Sequence, residues 1–286
     1  MAWTTLIDTG TLAGRLADAS LAIVDCRYNL DIEGWGAQEY RKAHIPGAAY
    51  SHLGHDLAGA KTGANGRHPL PDPGALQDTF SRLGIAHDVQ VVAYDQDTGM
   101  YASRLWWLLR WLGHDAVAVL DGGFAKWTAE GRPTASGEEQ RAARVFTAAP
   151  RRDLSMSADE VAAVMRAPGW RLVDARAPER YRGETEPIDK VAGHIPGAAN
   201  HFFKLSLDER GTFRPPREIV SRMRESIGGV APDRVVMYCG SGVTACHNLL
   251  AMEHAGLHGA KLYPGSWSEW SSDPARPVER TPAAGT

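Results

Sequence analysis

The chain repeats itself, and the repeat narrows the folds open to it more than any other feature. VQVVAYDQDTGMYASRLWWLL at 89–109 lines up with DRVVMYCGSGVTACHNLLAM at 233–252. LAIVDCRYNL near the start returns as WRLVDARAPERY at 170–181, YRKAHIPGAAY at 40–50 as VAGHIPGAANHF at 191–202, and AVLDGGFAKW at 118–127 as AKLYPGSWSEW at 260–270. The order is kept, and the offsets stay between 143 and 150 residues. A pattern shared in the same order points to one domain written twice. At 286 residues, the chain has room for two domains of ordinary size.

Each copy reads alike. A short apolar strand (21–24; 171–173) leads through an acidic residue and a long connection to the HIPGA turn. A second extended segment and a helical stretch follow, then a buried-type strand (89–94; 234–238), a loop and an apolar-rich helix (101–111; 244–254). Alternation of strands with helices predicts an α/β fold: two tandem modules, each a mostly parallel sheet with helices on both faces. The polar run AEGRPTASGEEQRAARVFTAAPRRD at 129–153 has no period and marks the connection. The expected division is a first module at 1–131, a linker at 132–153 and a second module at 154–286.

Bulk properties remove several function classes. With 31 basic and 34 acidic residues, the net charge of −3 exerts no general pull toward nucleic acid or membrane. No apolar run is long enough to span a bilayer. The start, MAWTTLIDTGTLAGRLADAS, lacks a basic segment followed by an apolar one, so no secretion signal is expected. Cys26, Cys239 and Cys246 form an odd and sparse set, which fits a reducing compartment, the cytoplasm, better than a disulfide framework.

Chemistry concentrates in VVMYCGSGVTACHNLL at 235–250. Cys239 stands where a strand stops and a helix starts, and in open α/β sheets ligands bind beyond the carboxyl ends of strands. Gly240 and Gly242 permit a tight path that aims backbone N–H groups at one point, and the helix adds its positive end. A cysteine sulfur held there is positioned as a nucleophile. The first copy has Asp95 at this place and lacks both loop glycines, so only the second copy is expected to do chemistry.

The duplicated HIPGA turns, the LDGGFAKW and YPGSWSEW endings and the CGSGVTA loop together resemble the two-domain rhodanese-type sulfurtransferases, along nearly the whole chain. The resemblance is nearest to the 3-mercaptopyruvate group. It implies two tandem modules with an inactive first copy, and a Cys239 that carries sulfur as a persulfide. Thiosulfate-preferring members resemble CRKGVTA, and the uncharged Gly240 and Ser241 here offer a doubly charged donor less. The implied reaction moves sulfur from 3-mercaptopyruvate to cyanide, a thiol or a protein dithiol such as a thioredoxin-like protein. It needs no metal or organic cofactor, and the chain is expected to be a monomer. The alternatives are a thiosulfate:cyanide sulfurtransferase and a persulfide carrier fed by a partner protein.

The resemblance also implies roles for particular residues. Cys239 and Ser241 are the catalytic pair, and the N–H groups of Gly240, Gly242, Val243 and Thr244 receive the anionic sulfur. Arg180 takes the donor carboxylate and Arg182 shares its charge. A second substrate arginine before the GHIPG turn is missing, and Lys190 is the nearest cation. GANGRHPLPDP at 63–73 resembles the segment that reaches the second module from the first, which makes His68 and Arg67 substrate contacts. Ser241 and His68 fill two places of a Ser–His–Asp relay, with Asp56 the closest acid for the third.

Plainer roles suit the other conspicuous residues. Cys26 and Cys246 read as core residues, His44 and His194 as structural hydrogen-bonders present in both copies, and Asp25 and Asp174 as loop braces. Trp106, Trp107 and Trp111 on one helix read as packing. The groups His44, His52 and His55, or Cys239, Cys246 and His247, lack the paired spacing of structural zinc. A phosphatase of the same fold needs an arginine closing the loop, where Ala245 stands.

Overall fold

Every pairing in both sheets is parallel, as βαβ alternation demands. The computed structural model describes residues 2–281. They fall into two units: residues 2–59, 71–151 and 209–213 make the first, and residues 60–70, 152–208 and 214–281 the second. Each unit thus includes a short segment drawn from the other copy's stretch of sequence.

In the first unit the strands are β1 (Leu6–Ile7), β2 (Leu21–Asp25), β3 (Ala48–Tyr50), β4 (Gln90–Tyr94) and β5 (Val117–Leu120), in the order β1-β5-β4-β2-β3. The second unit has β6 (Arg171–Asp174), β7 (Ala199–Asn200), β8 (Val235–Tyr238) and β9 (Lys261–Leu262), in the order β7-β6-β8-β9. The two orders superimpose as β3-β2-β4-β5 on β7-β6-β8-β9, and an isolated parallel bridge, Ser155 to Leu262, stands where β1 pairs β5. Helices flank both sheets, as the alternating pattern predicts.

The duplication extends to matched polar details. Arg27 grips Asp25 and lies over Phe124 at 4.2 Å, while Arg176 grips Asp174 and lies over Trp267 at 4.8 Å. His44 Nδ1 sits 2.8 Å from Tyr40 O, and His194 Nδ1 sits 2.7 Å from Tyr181 O, each ring stacked on that tyrosine. Trp127 Nε1 donates to Pro133 O and Trp270 Nε1 to Pro277 O, both at 2.8 Å. Burying an indole requires a partner for its N–H, and both copies solve that with the proline carbonyl of the following turn.

The stretch 132–153 follows the first unit as far as Arg151, although it has no helix there. Arg141 donates to the carbonyls of Leu21 and Ala19, and Phe146 packs its edge on Phe80 at 5.2 Å while remaining only 3% exposed. One buried aromatic and a few backbone bonds anchor a segment that looks like a loop in composition.

Candidate active site

β8 ends at Tyr238, and Cys239 opens the turn into the helix Thr244–His254. That helix has no side-chain cap, so its positive end faces the loop, although the Cys246 N–H is taken by Val243 O at 3.0 Å. Gly242 at φ +76° turns its N–H inward to donate to Cys239 Sγ at 3.2 Å. No other loop N–H, from Gly240, Ser241, Val243 or Thr244, bonds the sulfur among the described residues. The expected cradle therefore holds the bare thiol through one donor. Cys246 is fully buried, and its Sγ donates to Gly242 O at 3.2 Å, which braces the same turn.

The main-chain frame around Cys239 is set from the last turn of the second unit. Trp267 N–H donates to Cys239 O and Ser268 N–H to Gly240 O, both at 2.9 Å. Cys239 N–H donates to Ser266 Oγ at 3.1 Å, and that hydroxyl donates to Tyr263 O at 2.9 Å. Ser266 adopts φ +55°, the one positive φ outside glycine among the described residues. Such strain costs about 1–3 kcal/mol and clusters at functional sites. The matching position in the first copy is Gly123, at φ +58°. Sequence reasoning missed Ser266. Its signal was the serine opposite a glycine when GGFAKW is laid on GSWSEW.

Ser241 Oγ and His68 Nδ1 lie 2.8 Å apart, both residues buried, so the expected pair is in contact. Asp56 is engaged inside the first unit, where it accepts the His52 N–H at 2.7 Å and pairs with Arg82. Arg67 and Arg180 converge on the loop. A methyl built on Gly240 would lie 2.7 Å from Arg67 Nη2 and 3.7 Å from both Arg180 Nη atoms. The second guanidinium that the sequence lacks before GHIPG thus comes from Arg67. Arg182 does not join them: it pairs with Glu184 at 2.7 Å at the surface. Positions i and i+2 of the helix Pro178–Arg182 point apart, so Arg180 and Arg182 cannot serve one site.

Two acids hold this arginine pair. Glu186 accepts from Arg180 at 2.6 Å and Arg176 at 3.1 Å, and from the N–H groups of Ile188 and Asp189, each at 3.1 Å. Burial works against its charge, but the Arg180 and Asp189 hydrogen bonds and the Arg180 charge hold its carboxyl below the usual range. Asp189 pairs with Arg67 and lies 3.6 Å from Arg180. Lys190 carries no ion pair among the described residues and lines, with Arg67 and Asp189, a cavity of about 430 Å³. A larger cavity, about 530 Å³, lies in the first unit beside Tyr40, Tyr50 and Arg141 and has no cysteine in its lining. No group of three metal-ligating side chains gathers among the described residues.

The first unit fills its own version of the cradle. Asp95 accepts the N–H groups of Tyr101 at 2.7 Å, Gly99 at 2.9 Å, and Asp97 and Ala102 at 3.2 Å. A carboxylate thus occupies the helix N-terminus that the second unit leaves open beside its cysteine. Burial pushes the Asp95 carboxyl up to about 6, against the N–H groups of Tyr101, Gly99 and Ala102, which favour the anion. A carboxyl with a raised folded pKa stabilises the fold fully below its unfolded value, here 3.8, and the contribution is lost as pH rises through about 6. The unfolding free energy of wild type minus that of Asp95→Asn is therefore expected to fall by roughly 2–3 kcal/mol between pH 4 and 7. Urea melts across that range check this, and a difference that stays flat or rises would contradict it.

Known proteins match this chain along nearly its whole length. The profile of the rhodanese-like domain matches residues 8–130 and again 157–273. A probable 3-mercaptopyruvate sulfurtransferase of Pseudomonas aeruginosa is 46% identical, over 96% of this chain and 97% of its own. A putative thiosulfate sulfurtransferase of Mycobacterium tuberculosis is 40% identical, over 96% of both chains. The solved 3-mercaptopyruvate sulfurtransferase from Leishmania major superimposes with a TM-score of 0.83 at 33% identity, covering 94% of this chain and 74% of that one.

Proposed function

Because the chain belongs to the rhodanese-like family, with two copies of that domain in one polypeptide, we propose that it is a sulfurtransferase that moves sulfane sulfur from 3-mercaptopyruvate to a thiophilic acceptor through a persulfide on Cys239. The Cys239 thiolate attacks the donor's sulfur, an S–S bond forms and the C–S bond breaks. The electron pair goes to the donor's methylene carbon, which takes the thiol proton and leaves as pyruvate. The Ser241–His68 pair is at hand to relay that proton. Cyanide or a thiolate then takes the outer sulfur and returns the Cys239 thiolate.

The observation that carries this reading is the pair of guanidinium faces at Gly240, one residue past the sulfur. Arg67 Nη2 and Arg180 Nη1 make no hydrogen bond there among the described residues, so both can receive a carboxylate. The loop itself, Gly240 and Ser241, adds no charge for a dianion. The unpaired Cys26, Cys239 and Cys246 suit a reducing compartment, and we place the protein in the cytoplasm. Small thiols or a reduced protein dithiol are the acceptors this chemistry serves.

Steady-state rates with cyanide as acceptor test the donor. We expect kcat/KM for 3-mercaptopyruvate to exceed that for thiosulfate by about tenfold or more, the worth of one unmatched charge–charge contact. The reverse ranking would favour the second reading, a thiosulfate sulfurtransferase, the name borne by the Mycobacterium tuberculosis relative. Turnover with neither donor would leave a persulfide carrier.

A further inference from the structure

We propose that Asp189 selects donors by charge, cancelling part of the guanidinium field that faces Gly240. The inference rests on the sulfurtransferase reading and adds to it a residue that discriminates between donors. Asp189 Oδ1 accepts from Arg67 Nη1, while Oδ2 lies 3.6 Å from Arg180 Nη2. That second oxygen is buried and has no hydrogen-bond partner. One carboxylate thus sits between both arginines without saturating either.

The formal charges of the cluster balance. Arg67, Arg176 and Arg180 face Asp174, Glu186 and Asp189, three against three. Asp174 and Glu186 are tied to Arg176, whose side chain is 1% exposed, and Glu186 also orders the turn that presents Asp189. Asp189 is the acid bonded to Arg67, at the edge of the 430 Å³ cavity. A donor with one carboxylate can bind the unbonded guanidinium edges beside it. A donor with two negative charges meets a field already partly cancelled, and it meets the repulsion of Asp189 twice over. Removing that single charge should open the site to dianions while changing monoanion binding less.

The test reads binding and needs no turnover. In Cys239→Ser protein, calorimetry gives the affinity of sulfate, a dianion, and pyruvate, a monoanion, with and without Asp189→Asn. The sulfate-to-pyruvate affinity ratio is expected to rise about tenfold or more on Asp189→Asn, from one unit charge removed at close range. Asp189→Glu, which keeps the charge, should leave the ratio within about twofold, where a purely structural role would disturb both variants alike. An unchanged ratio in Asp189→Asn, or an equal change in Asp189→Glu, would overturn the proposal. Failure of any donor to charge wild-type Cys239 would instead count against the sulfurtransferase reading and leave this ratio intact as a measurement.

Discussion

Replacing Cys239 by serine is expected to lower sulfur transfer by about 10⁴-fold or more, the scale on which enzymes lose activity when a covalent nucleophile is removed. Serine nearly matches the shape, and its Oγ can accept the Gly242 N–H that Sγ accepts at 3.2 Å. Stability should therefore change by about 1 kcal/mol or less. The backbone frame from Trp267 and Ser268 does not involve the side chain at all. Cyanide-coupled rates and urea melts on the same preparation separate the two effects. Activity retained within about tenfold would remove Cys239 from the chemistry.

The next largest effect is expected at Gly242. An alanine there would need φ +76° and would place its Cβ 2.4 Å from Pro264 O and 3.1 Å from Pro264 C. The backbone must shift, and the N–H that reaches Sγ moves with it. We expect Gly242→Ala to cost roughly 2–4 kcal/mol of stability and about 10²–10³-fold in turnover, the range seen when one anion-stabilising donor is lost. Gly256→Ala is the matched control, because Gly256 also sits at positive φ, +79°, but nothing lies within 4 Å of its built Cβ. It should lose about 1 kcal/mol and keep its activity. If Gly242→Ala behaved like Gly256→Ala, the loop would not be packed against Pro264 as described.

Much of this is legible in the sequence. The repeat offsets place β2 on β6 and β4 on β8, and the helix 244–254 begins and ends where its apolar pattern does. Cys239 was visible because a strand end, a cysteine and spaced glycines rarely coincide by accident. Arg67 and His68 were legible through the family resemblance alone, since nothing local in GANGRHPLPDP says which unit it joins. Three things stayed hidden for physical reasons. Ser266 occupies a left-handed conformation that no propensity assigns to serine. Asp189 lies in an irregular turn ordered by Glu186, where spacing carries no directional information. The segment Glu209–Phe213 joins the first unit through a Phe213 N–H to Asp121 at 2.9 Å, a tertiary bond with no period to announce it. Arg182 misled for the opposite reason: nearness in sequence is not nearness on a helix.

The most direct measurement is the intact mass of reduced wild-type protein and of Cys239→Ser after incubation with 3-mercaptopyruvate and no acceptor. The account predicts that wild type gains the mass of one sulfur atom, that cyanide removes it, and that the serine variant gains nothing. An unchanged wild-type mass, or the same gain on the serine variant, would contradict a persulfide at Cys239.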